Sequence, residues 1–225
     1  MHFIVATSRG KGLQTLHDTP NVVLKTVPGG TYQGVTEAAL ELLSTWRIDL
    51  HLGPHFVYVV AGLPDLTTKL KRRNFGGKRR YEEVVFLGDS MDVAEMTKRK
   101  IDRASADITN AGGGCPSFAT IASSSIKAWN RARLDQQKTT HLEHFKHYDD
   151  MQISLHQAAI YTNRYIHQIN NLNGVRTPRL GETVLKSRRG TYRPRYGRMG
   201  SDGVHLDTKT CEMWNKIMGR IIYDY

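Results

Sequence analysis

Short apolar runs that end at small or glycine residues recur along the chain. Residues 2–6, 21–27 and 56–61 form the three clearest runs, and the last of them, FVYVVA, is apolar throughout. A run of this kind is typical of a strand buried on both faces in a parallel sheet. We therefore predict three strands, each followed by a turn and the first and third of them buried, and two further strands over residues 83–87 and 117–122.

Longer stretches between these runs place apolar residues three or four positions apart, which is the spacing of one helix face. Such stretches predict helices over residues 33–46, 91–110, 142–171 and 208–223. Strands that alternate with helices favour a mostly parallel sheet covered on both sides. The pattern thus predicts an α/β fold, a three-layer α/β/α sandwich that forms a single domain over residues 1–225.

The chain carries a formal net charge of +11 over 225 residues, while 39% of its residues are hydrophobic, enough for a substantial core. This positive excess favours polyanionic partners such as single-stranded nucleic acid, but it also serves solubility. Many arginines fall in two basic segments interleaved with aromatic residues, which can stack on bases. A solvated basic loop is the alternative. The nucleic-acid hypothesis rests on Arg72, Arg73, Arg79, Arg80, Arg188, Arg189, Arg193, Arg195 and Arg198.

The sequence carries no visible targeting signal. No apolar run approaches the length of a membrane span, and Met1 leads directly into the first predicted strand without a signal-peptide pattern. The two cysteines, Cys115 and Cys211, are too few for a disulfide framework and suit a reducing compartment. We therefore expect an intracellular protein, cytoplasmic or nuclear, with no transmembrane segment.

A serine and an Asp-x-x-His pair lie at opposite ends of the chain. Ser8 follows the first predicted strand, and Asp202 precedes His205 in the segment DGVHL. Serine needs a base to become nucleophilic at neutral pH, and the base needs an acid to fix its tautomer. In an α/β sheet, ligands bind at the carboxyl ends of the strands. Residues 29–30 and 62–65 follow the second and third strands, so both segments should lie at the same sheet edge as Ser8.

The order of these segments resembles that of the SGNH (GDSL-type) hydrolase superfamily, whose blocks run Ser, Gly, Gly-x-Asn-Asp and a terminal Asp-x-x-His. The chain is most similar to the SGNH-like proteins of invertebrate mobile elements. The resemblance covers nearly the whole chain and implies the SGNH, flavodoxin-like fold. It rests on the stretches TSRGKGLQ (7–14), PGGTYQG (28–34), AGLPDLT (61–67), FATIASSSIKAWN (118–130), NGVRTPRL (173–180) and DGVHL (202–206).

Carried over position by position, the resemblance implies a catalytic triad and an acyl-enzyme. Ser8 is then the nucleophile, His205 the general base and Asp202 its orienting acid. The oxyanion hole would contain the backbone N–H of Ser8 and of Gly30 or Gly29, with Gly62 opening the third block. The implied substrate is an ester with an acyl or acetyl group, and neither a cofactor nor a metal is expected.

Two positions depart from the family pattern. Ala6 and Thr7 stand where the family has Gly-Asp, and Pro64 replaces the oxyanion-hole asparagine. Proline has no N–H and no amide side chain, and losing one such donor costs about 10²- to 10³-fold in rate. A slow esterase is one outcome of this loss. The others are an impaired SGNH fold reused as a nucleic-acid-binding accessory domain, and a structural or assembly protein that uses the fold as a scaffold.

Two other motifs compete with this assignment. The tripeptide ending at Ser90 spells Gly-Asp-Ser, but the same residues suit the N-cap of the helix predicted from Met91. His141, His144 and His147 recur every three residues and suggest a metal site. Helical metal pairs prefer four-residue spacing, so a solvated helix face is the favoured interpretation.

Overall fold

The central sheet is parallel and carries helices on both faces. The computed structural model describes residues 1–46, 55–73, 80–86, 88–112, 114–136, 148–188, 191–195, 198–200, 202 and 204–224. Within these ranges the strands are β1 His2–Thr7, β2 Val22–Val27, β3 Phe56–Val60, β4 Thr68–Arg73, β5 Arg80–Val85, β6 Ser117–Phe118, β7 Leu185–Arg188 and β8 Thr191–Pro194. The central sheet has the strand order β2-β1-β3-β6.

Alternate residues of β1 face opposite sides of the sheet, and each side has its own core. Phe3 and Val5 belong to the core that helices α1 (Tyr32–Trp46), α3 (Ser90–Asn110) and α5 (Tyr148–Leu172) cover. Ile4 and Ala6 pack with α6 (Thr208–Tyr223) on the other side. A 3₁₀ segment, Ser8–Asp18, adds Leu13 and Leu16 to the second core. The helices are α1 Tyr32–Trp46, α2 Leu63–Leu66, α3 Ser90–Asn110, α4 Ile126–Gln136, α5 Tyr148–Leu172 and α6 Thr208–Tyr223.

These elements confirm the predicted α/β fold with its parallel sheet, but several bounds differ. The strand predicted over residues 117–122 ends at Phe118, and helix α4 was not predicted. The basic stretch after residue 68 forms the antiparallel hairpin β4–β5. The segment 176–200 contains a second antiparallel hairpin, β7–β8. No helix among the described residues is long and apolar enough to cross a bilayer.

Amide side chains on α5 bind the last residue of β6 and the chain that follows it. Asn170 accepts a hydrogen bond from Phe118 N at 3.0 Å and donates one to Phe118 O at 2.7 Å. Asn163 makes the same pair of bonds with Ile121, at 2.6 and 3.0 Å. These bonds satisfy backbone groups that would otherwise be buried without partners. They hold a buried extended segment against α5 and explain why the strand is short.

Candidate active site

A cavity of about 280 Å³ lies at the carboxyl ends of β1 and β3, where the strand order of the sheet reverses. Open α/β sheets bind their ligands at this kind of position. Ser8 contributes from the end of β1, and His205 from the segment before α6. We call it the Ser8 cavity. It is lined by Thr7, Ser8, Arg9, Gly29, Thr31, Leu63, Pro64, Thr67, Lys69, Trp129, Val204 and His205.

The carboxylate of Asp202 binds both the ring and the backbone N–H of His205. Asp202 Oδ2 contacts His205 Nδ1, and Asp202 Oδ1 accepts hydrogen bonds from Val204 N at 3.0 Å and His205 N at 2.9 Å. Burial raises the pKa of Asp202, but these hydrogen bonds outweigh it and leave the pKa below its usual value. An ionised Asp202 favours the tautomer with a proton on Nδ1, which leaves Nε2 free to accept a proton.

Ser8 and His205 line the same cavity without contacting each other through a hydrogen bond. Both residues are described, and no hydrogen bond joins Ser8 Oγ to the His205 ring. Catalytic hydrogen bonds are often loose without substrate and tighten when it binds. His205 has a side chain 55% exposed, so its ring borders the open side of the cavity.

The turn after β2 distinguishes between the two glycines proposed for the oxyanion hole. Gly30 N donates to Val27 O at 3.0 Å, while Gly29 has φ +66°. Pro28 at the second position and Gly29 at the third are typical of a type II turn. The N–H of Gly30 is therefore used within the turn. Gly29 lines the Ser8 cavity, and of the two glycines it is the one whose N–H suits an oxyanion hole.

Gly62 does not line the Ser8 cavity. Its φ is +113°, and a Cβ there would lie 2.4 Å from Ile121 Cδ1. Only glycine combines this backbone conformation with such close packing. The predicted oxyanion role of Gly62 thus finds no support in its position, whereas its neighbours Leu63 and Pro64 do line the cavity.

Asp65 joins two walls of the Ser8 cavity. Its side chain has no exposed area, accepts a hydrogen bond from Tyr32 N at 2.8 Å and pairs with Lys100 Nζ at 2.9 Å. Burial raises the pKa of Asp65, and the contacts with Lys100 and Tyr32 act against that rise. Because Tyr32 begins α1 directly after the glycine turn, this carboxylate fixes the Pro64 loop relative to Gly29.

Arg9, which the sequence pattern did not single out, is a buried charge beside the candidate nucleophile Ser8. It is 7% exposed, and its Nη1 donates to Ala122 O at 2.5 Å. Burial lowers the pKa of Arg9 to about 10, and the Asp202 carboxylate acts in the opposite direction. Arg9 therefore stays protonated at neutral pH and adds positive charge near Asp202. A charged residue inside a run of small and hydroxyl residues was the signal that could have revealed it.

Ser90 lies outside the Ser8 cavity. Its Oγ donates to Ser154 O at 3.1 Å, and Asp89 caps α3 by accepting a hydrogen bond from Met91 N at 2.7 Å. The capping interpretation of the Gly-Asp-Ser segment is thus confirmed, with Asp89 as the cap.

The residues of the nucleic-acid and metal hypotheses are only partly described. Arg195 is exposed, whereas Arg198 is half-buried and directs Nη1 to Met213 Sδ at 2.8 Å. Arg198 is therefore committed to contacts within the protein. Arg72, Arg73 and Arg80 lie on the β4–β5 hairpin, Arg188 and Arg193 on β7–β8. Arg79, Arg189 and the three histidines at 141, 144 and 147 fall outside the described residues. The part of the chain that the structure describes contains no metal-binding cluster.

Solved structures of GDSL-like hydrolases match nearly the whole chain, although no protein-family model and no curated protein matches its sequence. A GDSL-like lipase from Bacteroides thetaiotaomicron VPI-5482 superposes with a TM-score of 0.57 at 10% identity, covering 99% of this chain and 87% of that one. TesA gives 0.55 at 11% identity, covering 99% and 98%. The psychrotrophic esterase EstA from Pseudoalteromonas sp. gives 0.53 at 12% identity, covering 99% and 96%.

These likenesses establish the fold. The chain has the α/β architecture of the SGNH/GDSL hydrolases, with a parallel central sheet between layers of helices, as the sequence predicted. The closer resemblance to proteins of mobile elements stays a prediction.

Proposed function

We propose that this protein is a serine ester hydrolase that acts through an acyl-enzyme. The observation that carries the proposal is the Asp202–His205 pair at the cavity that Ser8 lines. Ser8 Oγ attacks the ester carbonyl while His205 Nε2 accepts its proton, and Asp202 stabilises the resulting imidazolium. His205 then protonates the alcohol oxygen as the acyl–alcohol bond breaks. A water molecule, deprotonated by His205, releases the acyl group from Ser8 as a carboxylic acid.

Backbone donors at two turns stabilise the oxyanion in this mechanism. The N–H of Ser8 opens the 3₁₀ segment, where the first N–H groups have no helical partner. The N–H of Gly29 comes from the turn after β2. The third donor of the family pattern is missing because Pro64 occupies its position, so we expect slow turnover.

Pro64→Asn is expected to raise kcat for p-nitrophenyl acetate by about 10²-fold, since it restores an amide donor at the cavity wall. Steady-state kinetics of the purified variants measure the change. Pro64→Ala is the matched control, because both variants regain a backbone N–H and only asparagine adds a side-chain amide. Its kcat should stay near that of the wild type. Equal rates for the asparagine and alanine variants would contradict the proposed oxyanion geometry.

Hydrolysis of p-nitrophenyl esters of increasing chain length tests the activity itself. A cavity of about 280 Å³ favours acetyl and other short acyl groups over long chains. We therefore expect slow turnover of the acetate, less of the octanoate, and inactivation by an organophosphate. Rates no higher than those of Ser8→Ala would show that the protein is not an esterase and would favour the accessory-domain or scaffold alternatives.

A second function, binding of single-stranded nucleic acid, is favoured by the two basic hairpins. Strand β4 has the sequence TKLKRR, and Arg195 is exposed just after β8. Affinity for a labelled oligothymidylate should fall steeply with salt, because each neutralised phosphate releases counterions. Changing Arg188, Arg189, Arg193 and Arg195 together to glutamine should flatten this salt dependence in fluorescence anisotropy, while Arg198 is left in place because it contacts Met213 within the protein. An unchanged slope, or no binding by the wild type at low salt, would contradict this function.

A further inference from the structure

The accessible charge around the Ser8 cavity is positive. Lys69 lines the cavity, and none of the described residues that line it is acidic. The nearby carboxylates already have partners within the protein: Asp202 contacts His205, and Asp65 pairs with Lys100. A group that enters the cavity therefore meets cations without meeting a free carboxylate.

Lys69 is available to bind an anion. Its side chain is exposed on β4, and it forms no ion pair or hydrogen bond with the residues that the structure describes. Lys71 is exposed on the same strand and likewise lacks a partner in the described part of the chain. Because residues two apart share a strand face, Lys71 lies about 6.8 Å further along the same face of β4. The hairpin thus carries lysines outward from the cavity, and the carboxylate opposite Lys71, that of Glu82, pairs with Arg133 at 3.3 Å.

The open side of the cavity is the side on which the alcohol of an ester must lie. His205 protonates the leaving alcohol in the proposed mechanism, and its side chain is exposed. Lys69 is also exposed, whereas Leu63 and Val204 are buried at the apolar wall that suits the acyl group. An ester oriented for cleavage therefore places its alcohol part toward the solvent side where Lys69 lies.

Building on the proposed esterase function, we propose that the ester substrate carries a carboxylate or phosphate on its alcohol side and that Lys69 binds this anion. Lys69 is then a specificity-determining residue that acts by charge and takes no part in bond breaking. The substrate class is an anionic ester with a short acyl group, in which the alcohol is either a small molecule or part of a polyanion.

Two esters of matched shape test this inference. 4-Acetoxybenzoate is anionic, and 4-acetoxybenzamide is its neutral counterpart with the same acyl group. The wild type should favour the anionic ester by kcat/KM, after each rate is divided by the hydroxide-catalysed rate of that ester. Lys69→Gln should lower the anionic-to-neutral ratio about fivefold, the upper range for one exposed charge pair. Lys69→Arg should restore most of the ratio.

Lys216→Gln is the matched control, since Lys216 is an exposed lysine on α6 that does not line the Ser8 cavity. Its anionic-to-neutral ratio should equal that of the wild type. Competition experiments distinguish the two sources of the anion. If inorganic phosphate and oligothymidylate inhibit equally at the same phosphate concentration, the result supports a small alcohol. Stronger Lys69-dependent inhibition by oligothymidylate supports a polyanionic one.

The failures of the two proposals are distinguishable. Turnover of both esters that depends on Ser8, with the same ratio in the wild type and Lys69→Gln, would overturn the anion site and leave the esterase function intact. If neither ester is turned over, the esterase function fails. Equilibrium binding of both esters to Ser8→Ala then tests the anion site at Lys69. Equal affinities for the anionic and the neutral ester would overturn that site as well.

Discussion

Ser8→Ala is expected to lower turnover of p-nitrophenyl acetate by about 10⁴-fold or to background, because removing the nucleophile leaves only binding and oxyanion donors. Ser8 opens the 3₁₀ segment at the edge of the sheet, and its side chain is not needed for a cap there. We therefore expect the variant to keep the thermal stability of the wild type. A stopped assay measures the turnover, and thermal unfolding of the same preparation measures the stability.

Ser90→Ala is the control for this result. Ser90 belongs to the literal Gly-Asp-Ser segment, but its hydroxyl contacts α5 and lies outside the Ser8 cavity. Its turnover should match that of the wild type. If Ser90→Ala lost activity while Ser8→Ala kept it, the assignment of the nucleophile would be wrong.

Asp202→Asn is expected to lower kcat by about 10³- to 10⁴-fold, the size of loss that follows when a triad histidine takes the wrong tautomer. The asparagine oxygen can still accept from Val204 N and His205 N, so the backbone turn is preserved. Its amide nitrogen would face His205 Nδ1 and donate to it. Nε2 would then carry the proton and could not accept one from Ser8.

Asp207→Asn supplies the comparison for Asp202→Asn in the same part of the chain. Asp207 caps α6 by accepting from Thr210 N at 2.7 Å, and asparagine caps a helix about as well as aspartate. This variant should retain both kcat and stability. A loss of similar size in both variants would indicate damage to the segment as a whole and would contradict a specific role for Asp202.

Regular periodicity made most of the fold predictable. The helix predicted over residues 208–223 has the bounds of α6, since its apolar positions, Trp214 and Met218 among them, keep one buried face. Helix α4 was missed because its 11 residues are too few to establish a clear helical period. The strand predicted after residue 117 is short because Asn163 and Asn170 bind its continuation. Those contacts join distant parts of the sequence, and no local pattern reveals them.

The site was predictable where its residues interact locally. Asp202 and His205 are three residues apart, and the structure pairs them. The choice between Gly29 and Gly30 depends on the turn, for which Pro28 and Gly29 were a sufficient signal. The local sequence could single out Arg9 as a charge among small and hydroxyl residues, but its burial follows from its contact with Ala122, far along the chain.

Reaction with a fluorophosphonate, followed by intact-mass and peptide mass spectrometry, tests the central claim most directly. Such a reagent reacts with a serine whose hydroxyl is activated by a neighbouring base. The account predicts a single adduct in the peptide that contains Ser8, absent from Ser8→Ala and strongly reduced in His205→Ala. An unmodified wild-type protein, or an adduct on another serine that persists in Ser8→Ala, would contradict it.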